Sequence, residues 1–457
     1  MRKENIGIVA PGSSRRQIIM YSRENISTDY IMTEDDKNRY IFEVTSIETM
    51  NEKLKDIEYY RIMIDEDNYS KYNIFRIEAQ YIGALDLLSK NIINDIYYIA
   101  TPGTNIYTAT NEDISIIYDI SKGDKRIKIG RLFGYDSVPV SLDFNQLFST
   151  HASILGRTGS GKTFFIKKLL EILEAKYIVI SPTDEYNFLV NSANLFDSGN
   201  IPINIDISKC KNAFELNPTE ERFLKHYCEL NNKKGYISSN ELSESIYLFH
   251  QTINGNNQRS LFIDEIDNKN IEIPRYVLTL CEKLSQVDLK INLNKERTPD
   301  SFPIVFSTQE LSEKIENIAV HSLLSTILSS RISKFMNSAK KMDDILIILE
   351  EAHNYAPSIK TTKCKDIIVQ IARVGRKYGL HLLILSQRPR FIDQTLLSQC
   401  GTNFIFNLPN PQDIDYIMEH SYFYNERNKK IIQNLKTGEC FITSNTRNND
   451  VICKISL

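Results

Sequence analysis

Eight consecutive residues constrain this chain more than any others: Gly156-Arg157-Thr158-Gly159-Ser160-Gly161-Lys162-Thr163. They follow a short run that reads as a buried strand, Ala152-Ser153-Ile154-Leu155. They precede a segment with Phe165, Ile166, Leu169, Leu170 and Leu173 at helical spacing. Glycines at 156, 159 and 161 let the backbone bend until its amides converge on phosphate oxygens. The helix that follows adds its positive N-terminal end. Lys162 is placed to neutralise β and γ phosphates, and the Thr163 hydroxyl to ligate magnesium. The expected ligand is therefore a nucleoside triphosphate with Mg2+. Tyr177-Ile178-Val179-Ile180 reads as the next buried strand, and this alternation predicts a parallel α/β sheet.

Such a loop needs a partner strand that ends in acids. Leu261-Phe262-Ile263-Asp264-Glu265 is one candidate; Ile345-Leu346-Ile347-Ile348-Leu349 followed by Glu350-Glu351 is the other. After the second come a helix over 366–378 closed by Gly379 and a buried strand, Leu382-Leu383-Ile384-Leu385. That strand has a polar end, Ser386-Gln387. This is the order expected for neighbouring strands of the sheet, so Glu350 and Glu351 are preferred, and Asp264-Glu265 reads as a solvated loop or helix start. Glu350 is expected to reach magnesium through water, Glu351 to polarise the attacking water, and Gln387 to sense the γ-phosphate. Arg373 and Arg376 lie three apart on one helix and share a face. Arg376 is the expected catalytic arginine, stabilising charge that gathers on the phosphoryl group. The alternative is a pair of surface arginines capping a helix end beside Lys377.

The rest of the chain frames this core. A length of 457 residues allows two or three domains, and 42% apolar with 25% charged residues is a globular balance. Residues 1–130 read as β-rich, with strands at Ile6-Gly7-Ile8-Val9, Arg39-Tyr40-Ile41-Phe42-Glu43-Val44 and Ile114-Ser115-Ile116-Ile117-Tyr118. Turn signals separate them at Pro11-Gly12-Ser13-Ser14, Pro102-Gly103-Thr104-Asn105 and Lys122-Gly123-Asp124, and one helix is expected near 81–88. A small barrel or sandwich for docking or oligomerisation fits this pattern. Residues 208–340 read as a mostly helical insertion, with helices at 220–230, 241–252, 275–284 and 322–335. Phe404-Ile405-Phe406 is a further strand, and a strand pair at 439–443 and 451–455 closes the chain within an extension over 436–457.

The formal net charge of -3 gives no global positive field, so nucleic-acid contact requires a local basic patch. Seven cysteines, an odd number without metal or redox spacing, suit a reducing compartment. With neither a signal peptide nor a membrane-length apolar run, the reading is a soluble, cytoplasmic protein without a membrane partner.

The run from His151 to Thr163 resembles the nucleotide-binding loop of HerA ATPases. So do Glu350-Glu351-Ala352-His353-Asn354-Tyr355-Ala356-Pro357, the stretch from Ala372 to Leu380, Ser386-Gln387-Arg388-Pro389 and Leu397-Ser398-Gln399-Cys400-Gly401-Thr402. Leu408-Pro409-Asn410-Pro411 and Thr437-Gly438-Glu439-Cys440 extend the likeness. It is weaker at Ile6-Gly7-Ile8-Val9, Tyr30-Ile31-Met32, and from Ile129 to Val140. HerA proteins are similar to FtsK motors. The resemblance implies a RecA-like core over 131–457, an N-terminal β-barrel over 1–130, a homo-hexameric ring and ATP-driven movement of double-stranded DNA. It also implies a partner: a NurA-like nuclease or another effector of a bacterial antiviral operon. By that likeness Lys162, Thr163, Glu350, Glu351, Arg376 and Gln387 take the roles given above. Two departures stand out. Ser181 of Ser181-Pro182-Thr183-Asp184-Glu185-Tyr186 occupies a place where the family usually has Asp, with Asp184-Glu185 as possible substitutes. Thr150 stands where many relatives have a basic residue.

A ring motor grips phosphates with basic loops. Ser358-Ile359-Lys360-Thr361-Thr362-Lys363-Cys364-Lys365 follows the acidic strand and offers Lys360, Lys363 and Lys365, with Arg388 and Arg390 nearby in the pattern. A second reading is a ring scaffold whose ATPase controls an effector enzyme without sustained translocation. A small-molecule kinase is disfavoured by the barrel, the insertion and the water-activating position of Glu351.

Overall fold

The computed structural model describes residues 5–51, 73–93, 100–118, 126–143, 149–191, 194–196, 217–220, 236–238, 290–292, 302–309, 311, 313–337, 342–421, 426–445 and 450–456. The chain divides into two compact units: Met1–Asn145 with Glu439–Leu457, and Gln146–Gly438. The sequence pattern placed the boundary at 130 and kept the closing strands with the second domain. Among the described residues no helix is long and apolar enough to cross a membrane.

The first unit contains strands β1 (Asn5–Val9), β2 (Gln17–Ser22), β3 (Tyr30–Glu34), β4 (Asn38–Asn51), β5 (Asn73–Asp86), β6 (Ile92–Ile93) and β7 (Asn105–Thr108). They pair in the order β2-β1-β7-β3-β4-β5-β6, and β2 also pairs with β5, which closes a six-stranded antiparallel barrel. Closure removes the exposed edges of the sheet. Val9, Ile18, Met20, Ile31, Phe42 and Ile77 fill its interior.

Two local expectations fail here. Residues 81–86 are the end of β5, not a helix, with Tyr81 opposite Phe42 in the ladder. Ile114–Tyr118, in turn, is helical, within α1 (Asn111–Tyr118). The cause of the second is a capping box. The Asp113 amide donates to Thr110 Oγ1 at 3.2 Å and the Thr110 amide to Asp113 Oδ2 at 3.3 Å. A Cβ on Gly83 would lie 2.4 Å from Ile117 Cδ1, so the glycine lets α1 press against β5. Strands β8 (Arg126–Leu132) and β9 (Tyr135–Asp143) form an antiparallel pair, and β8 also pairs with Val451–Ile455, the partner of Glu439–Ser444. Lys122-Gly123-Asp124 lies outside the described residues.

The second unit is built on β10 (His151–Leu155), β11 (Lys176–Ser181), β12 (Leu195–Phe196), β13 (Tyr236–Ser238), β14 (Lys290–Asn292), β15 (Ile304–Ser307), β16 (Ile345–Leu349), β17 (Leu380–Ser386) and β18 (Cys400–Ile405). Seven of these form a parallel sheet in the order β12-β15-β11-β16-β17-β10-β18; β13 and β14 pair separately. Every residue of β10, β15, β16, β17 and β18 is buried, as a parallel sheet covered on both faces requires. Helices α2 (Lys162–Ile172), α3 (Glu313–Asn337), α4 (Lys363–Val374), α5 (Gln394–Gln399), α6 (Pro411–His420) and α7 (Glu426–Asn434) belong to this unit.

Ile304–Ser307, read from sequence as part of a helical insertion, is a central strand paired with β11. Its apolar run is only three residues long, too short to separate from helix by periodicity. The expected helices at 241–252 and 275–284 lie outside the described residues, while 322–335 falls within α3.

Phe165 of α2 is fully buried, with its ring 5.1 Å from that of Phe404 and 5.9 Å from that of Phe406. Phe165→Ala is expected to destabilise this unit by about 3–5 kcal/mol, read from urea unfolding followed by circular dichroism. A loss under about 1 kcal/mol would show that the ring is not part of the packed layer.

Candidate active site

Three neighbouring strands deliver the candidate residues to one end of the parallel sheet. β10 runs into the glycine loop, β17 ends at Ser386-Gln387, and β16 ends before Glu350-Glu351. β17 lies between the other two, with Leu155 in register with Ser386 and Leu349 with Ile384. Ligand sites of open α/β sheets form outside such strand ends.

The loop is held by its own backbone. The Gly156 amide donates to Ser386 O at 3.3 Å, the Arg157 amide to Asn407 O at 2.9 Å, and the Gly438 amide to Ser160 O at 3.0 Å. Gly159 and Gly161 have φ of 74° and 110°, the left-handed region that favours glycine. A Cβ on Gly159 would meet nothing within 4 Å, so this side of the loop is open. Gly161 caps α2 without a side-chain hydrogen bond, which leaves the helix N-terminal amides to a ligand. Lys162 is buried, and its Nζ donates to Gly156 O at 2.6 Å and Arg157 O at 2.8 Å. Burial pushes its pKa down to about 8, against the attraction of Glu351 and Glu350.

The two glutamates sit in opposite electrostatic settings. Burial raises the Glu350 carboxyl above its ordinary value, and Glu185 and Glu351 add to the rise. It accepts from Ser181 Oγ at 2.5 Å and Tyr186 OH at 3.1 Å, with Thr183 Oγ1 at 3.4 Å. Burial also acts against the charge on Glu351. There, however, His353, the Gln387 amide and Lys162 hold the carboxylate below its usual range. The contacts are 3.3 Å from Glu351 Oε2 to His353 Nδ1 and 3.3 Å from the Gln387 amide. His353 Nδ1 also lies 3.0 Å from Ser386 Oγ. Glu351 itself has φ of 49°, a strained value of the kind that concentrates at functional sites. Gln387 closes the circuit, because Thr158 of the loop donates to its Oε1.

Lys162, Glu350, Glu351 and Gln387 therefore converge with the loop. Arg376 does not. It lies in the 3-10 turn Gly375–Tyr378, which precedes β17, and donates to Ser149 O at 3.3 Å, just ahead of β10. That is the opposite end of the sheet from the loop, separated by the five residues of β10, roughly 16 Å of strand. A groove of about 590 Å³ there is lined by Ser149, Asp344, Arg373, Arg376, Lys377 and His381, among others.

The lysine loop divides as well. Lys365 is half-buried and pairs with Asp393 at 2.8 Å while also donating to Pro357 O at 2.8 Å, so it is spent on internal structure. Lys360 is exposed and pairs with Glu313 at 2.7 Å; Lys363 opens α4. Arg390 lies 3.7 Å from Asp413, whereas Arg388 is exposed. Asp264-Glu265 lies outside the described residues.

Sequence reasoning gave no role to His353 or Tyr186, which contact Glu351 and Glu350, and it assigned Thr158 to nucleotide binding without its hydrogen bond to Gln387. Asp184 accepts from Ser307 at 2.8 Å and Glu185 pairs with Lys167 at 2.8 Å, so Ser181 is the residue that meets Glu350. The open glycine turn, the uncapped helix and the buried ammonium fit a nucleotide triphosphate. The Thr163 hydroxyl and the paired carboxyls are donor types that suit Mg2+.

Residues 127–410 match the family described as the central domain of helicase HerA. The chain is 28% identical to a DNA double-strand break repair helicase HerA from Sulfurisphaera tokodaii, covering 98% of this chain and 92% of that protein. It is 27% identical to the protein of the same description from Sulfolobus acidocaldarius, covering 93% and 88%. Among solved structures it is similar to VirB4 of Thermoanaerobacter pseudethanolicus, with TM-score 0.49 and 14% identity over 74% of this chain and 98% of that one.

The Lys162 setting predicts a proton linkage. The folded ammonium loses its proton near pH 8, whereas the unfolded one keeps it to about 10.5, so this residue's penalty on folding is full below 8 and fades as pH rises towards 10.5. A bound polyphosphate restores the charge. ATP binding at about pH 8.5 should therefore take up protons, measured by calorimetry in buffers of differing ionisation enthalpy. The same uptake in Lys162→Met would show that another group titrates.

Proposed function

The chain belongs to the HerA helicase family and is a P-loop ATPase, and from that premise we propose that it works as a homo-hexameric ring that moves double-stranded DNA. The observation that carries the catalytic half is the convergence of Lys162, Glu351 and Gln387, tied together through Thr158 and the Gln387 amide. Lys162 neutralises the β and γ phosphates, and the uncapped end of α2 receives them. Glu351, held ionised, accepts a hydrogen bond from the attacking water and aims it at the γ-phosphorus. Gln387 links the loop to that carboxylate and reports the presence of the terminal phosphate. Bound Mg2+, held by Thr163 and Glu350, would supply charge neutralisation on the β and γ oxygens.

The position of Arg376 supports the ring. A phosphoryl-transfer site gains from an arginine aimed at the developing charge. Arg376 is at the wrong end of the sheet to serve its own loop, so it serves the loop of a neighbouring copy. We place the barrel unit in docking, and the domain division at 1–130 and 131–457 as functional segments. Lys360 and Lys363 are the DNA-contacting lysines, and exposed Arg388 joins them. The family likeness supports a nuclease or other effector, including one of an antiviral system, as partner.

A partner-gated scaffold is favoured by one feature: Lys365 is consumed internally and Lys360 is paired with Glu313, which thins the basic surface. ATP hydrolysis with and without linear double-stranded DNA separates the two readings. Translocation predicts stimulation of about tenfold or more, abolished in Lys162→Ala and Glu351→Gln. Slow turnover indifferent to DNA would overturn it in favour of the scaffold.

The arginine assignment has its own test. Lys162→Ala, inactive alone, and Arg376→Ala, slow alone, should together exceed the sum of their separate turnovers when mixed, because a mixed ring joins an intact loop to an intact arginine. Absence of complementation in rings shown to be mixed would refute action between copies.

A further inference from the structure

We propose that His151 is the positioning residue that presents Arg376, so that one strand, β10, is joined at its two ends to two nucleotide sites. This rests on the reading that Arg376 acts on a neighbouring copy. His151 is 1% exposed, and both ring nitrogens are engaged. Nδ1 accepts from the Leu382 amide at 2.9 Å, so Nε2 carries the proton and donates to Ala372 O at 2.8 Å. Ala372 lies in the last turn of α4, and Leu382 lies early in β17. Between them the chain makes the turn that carries Arg373, Arg376 and Lys377. The imidazole thus staples both arms of that turn at its base.

The neutral ring is required. An imidazolium would turn an N–H against the Leu382 N–H. Burial keeps the ring uncharged, with its pKa pushed down to about 4 despite the bond to Ala372 and with His381 and Arg376 adding to the fall. Other contacts shape the turn from outside. Arg331 of α3 donates to Tyr378 O at 2.8 Å, and Gly379 closes the turn at φ of 69°. His381 lies 3.0 Å from Asp344. His151 differs from these in belonging to the strand that ends at the loop. Its neighbour Ser149 also accepts from Arg376 itself. A shift of the loop is passed along β10 to the base of the arginine turn, and the reverse.

The test uses the full chain with linear double-stranded DNA. It compares His151→Phe, His151→Asn, His151→Gln, Arg376→Ala and the His151→Phe/Arg376→Ala double variant. Turnover and the Kd of a fluorescent ATP analogue are measured for each. His151→Phe fills the space without either hydrogen bond. It should hold the Kd within about twofold while turnover falls about tenfold or more. The double variant should be no slower than Arg376→Ala, because His151 acts through that arginine. Asn keeps an acceptor for Leu382 but is too short for Ala372, whereas Gln reaches Ala372, so Gln should turn over faster than Asn. This pair also carries the test if the Phe variant does not fold.

Parental turnover in His151→Phe, a matching loss of nucleotide binding, a multiplied defect in the double variant, or Asn equal to or faster than Gln would each overturn the proposal. If Arg376→Ala itself turns over at the parental rate, the reading of Arg376 falls and the proposal falls with it. If Arg376→Ala is slow and His151→Phe is not, the proposal alone falls.

Discussion

The pairing of β10 with β17 sets the geometry of the larger unit. Leu155 stands opposite Ser386, and the Gly156 amide continues the ladder to Ser386 O. That register places the first residue of the loop beside Gln387, and the next strand over, β16, delivers Glu350 and Glu351 to the same edge. A slip of one residue would turn each buried side chain to the other face and carry Gln387 away from Thr158. Both faces of these strands are packed, so a slip would misfit side chains on each, and close packing of the core is what fixes the polar constellation. The same register has a consequence at the far edge. The short strands separate the loop from the arginine turn by a distance no side chain can cross, so Arg376 does not reach the loop of its own chain.

Adjacent glutamates are made different by their surroundings. Burial raises Glu350 against the lowering effect of its hydroxyl donors; Glu351 has a histidine, a backbone amide and Lys162, which hold it down against burial. Environments that push neighbouring carboxyls apart assign distinct roles within one site. Here the residue kept ionised is the one with the left-handed backbone, and the strain is met by the contacts that Glu351 makes to β17 through Gln387 and His353.

Much of the sheet was legible because it rests on continuous apolar runs. Ile345–Leu349 and Leu380–Ser386 announce buried strands, and the order of their polar ends picked Glu350-Glu351 over Asp264-Glu265. What failed was decided by neighbours or by brevity. Ile304–Ser307 has too few apolar residues to declare itself, and pairing with β11 and β12 makes it a strand. Tyr81 to Asp86 has Ala84 and Leu85 as its only good helix formers, and the ladder with β4 holds it as strand. Ile114 to Tyr118 has β-rich composition, but the Thr110–Asp113 box, visible in the sequence, starts a helix. The loop residues of the site were readable one by one. The distance of Arg376 from them needs the motif to be combined with the parallel order: Arg376 precedes the strand that Ser386 ends, so a motif read alone does not show that they lie at opposite ends. Lys365 illustrates the same limit: a lysine in a basic run looks available until Asp393 is found 2.8 Å away.

Ser181 shows how a departure from a family pattern is absorbed. An aspartate there would bring a second carboxylate to the distance of a hydrogen bond from Glu350, and like charges that close cannot both stay ionised. Serine removes the conflict. Its hydroxyl donates to Glu350 and accepts from the Thr183 amide at 3.0 Å, which fixes the turn after β11. Asp184 is drawn instead to Ser307 at the end of β15, and the Thr308 amide donates to Ser181 O at 2.8 Å. The ends of β11, β15 and β16 are thus joined by hydroxyls and amides in place of paired acids. The acidic edge thus carries a hydroxyl, and no second carboxyl, against Glu350.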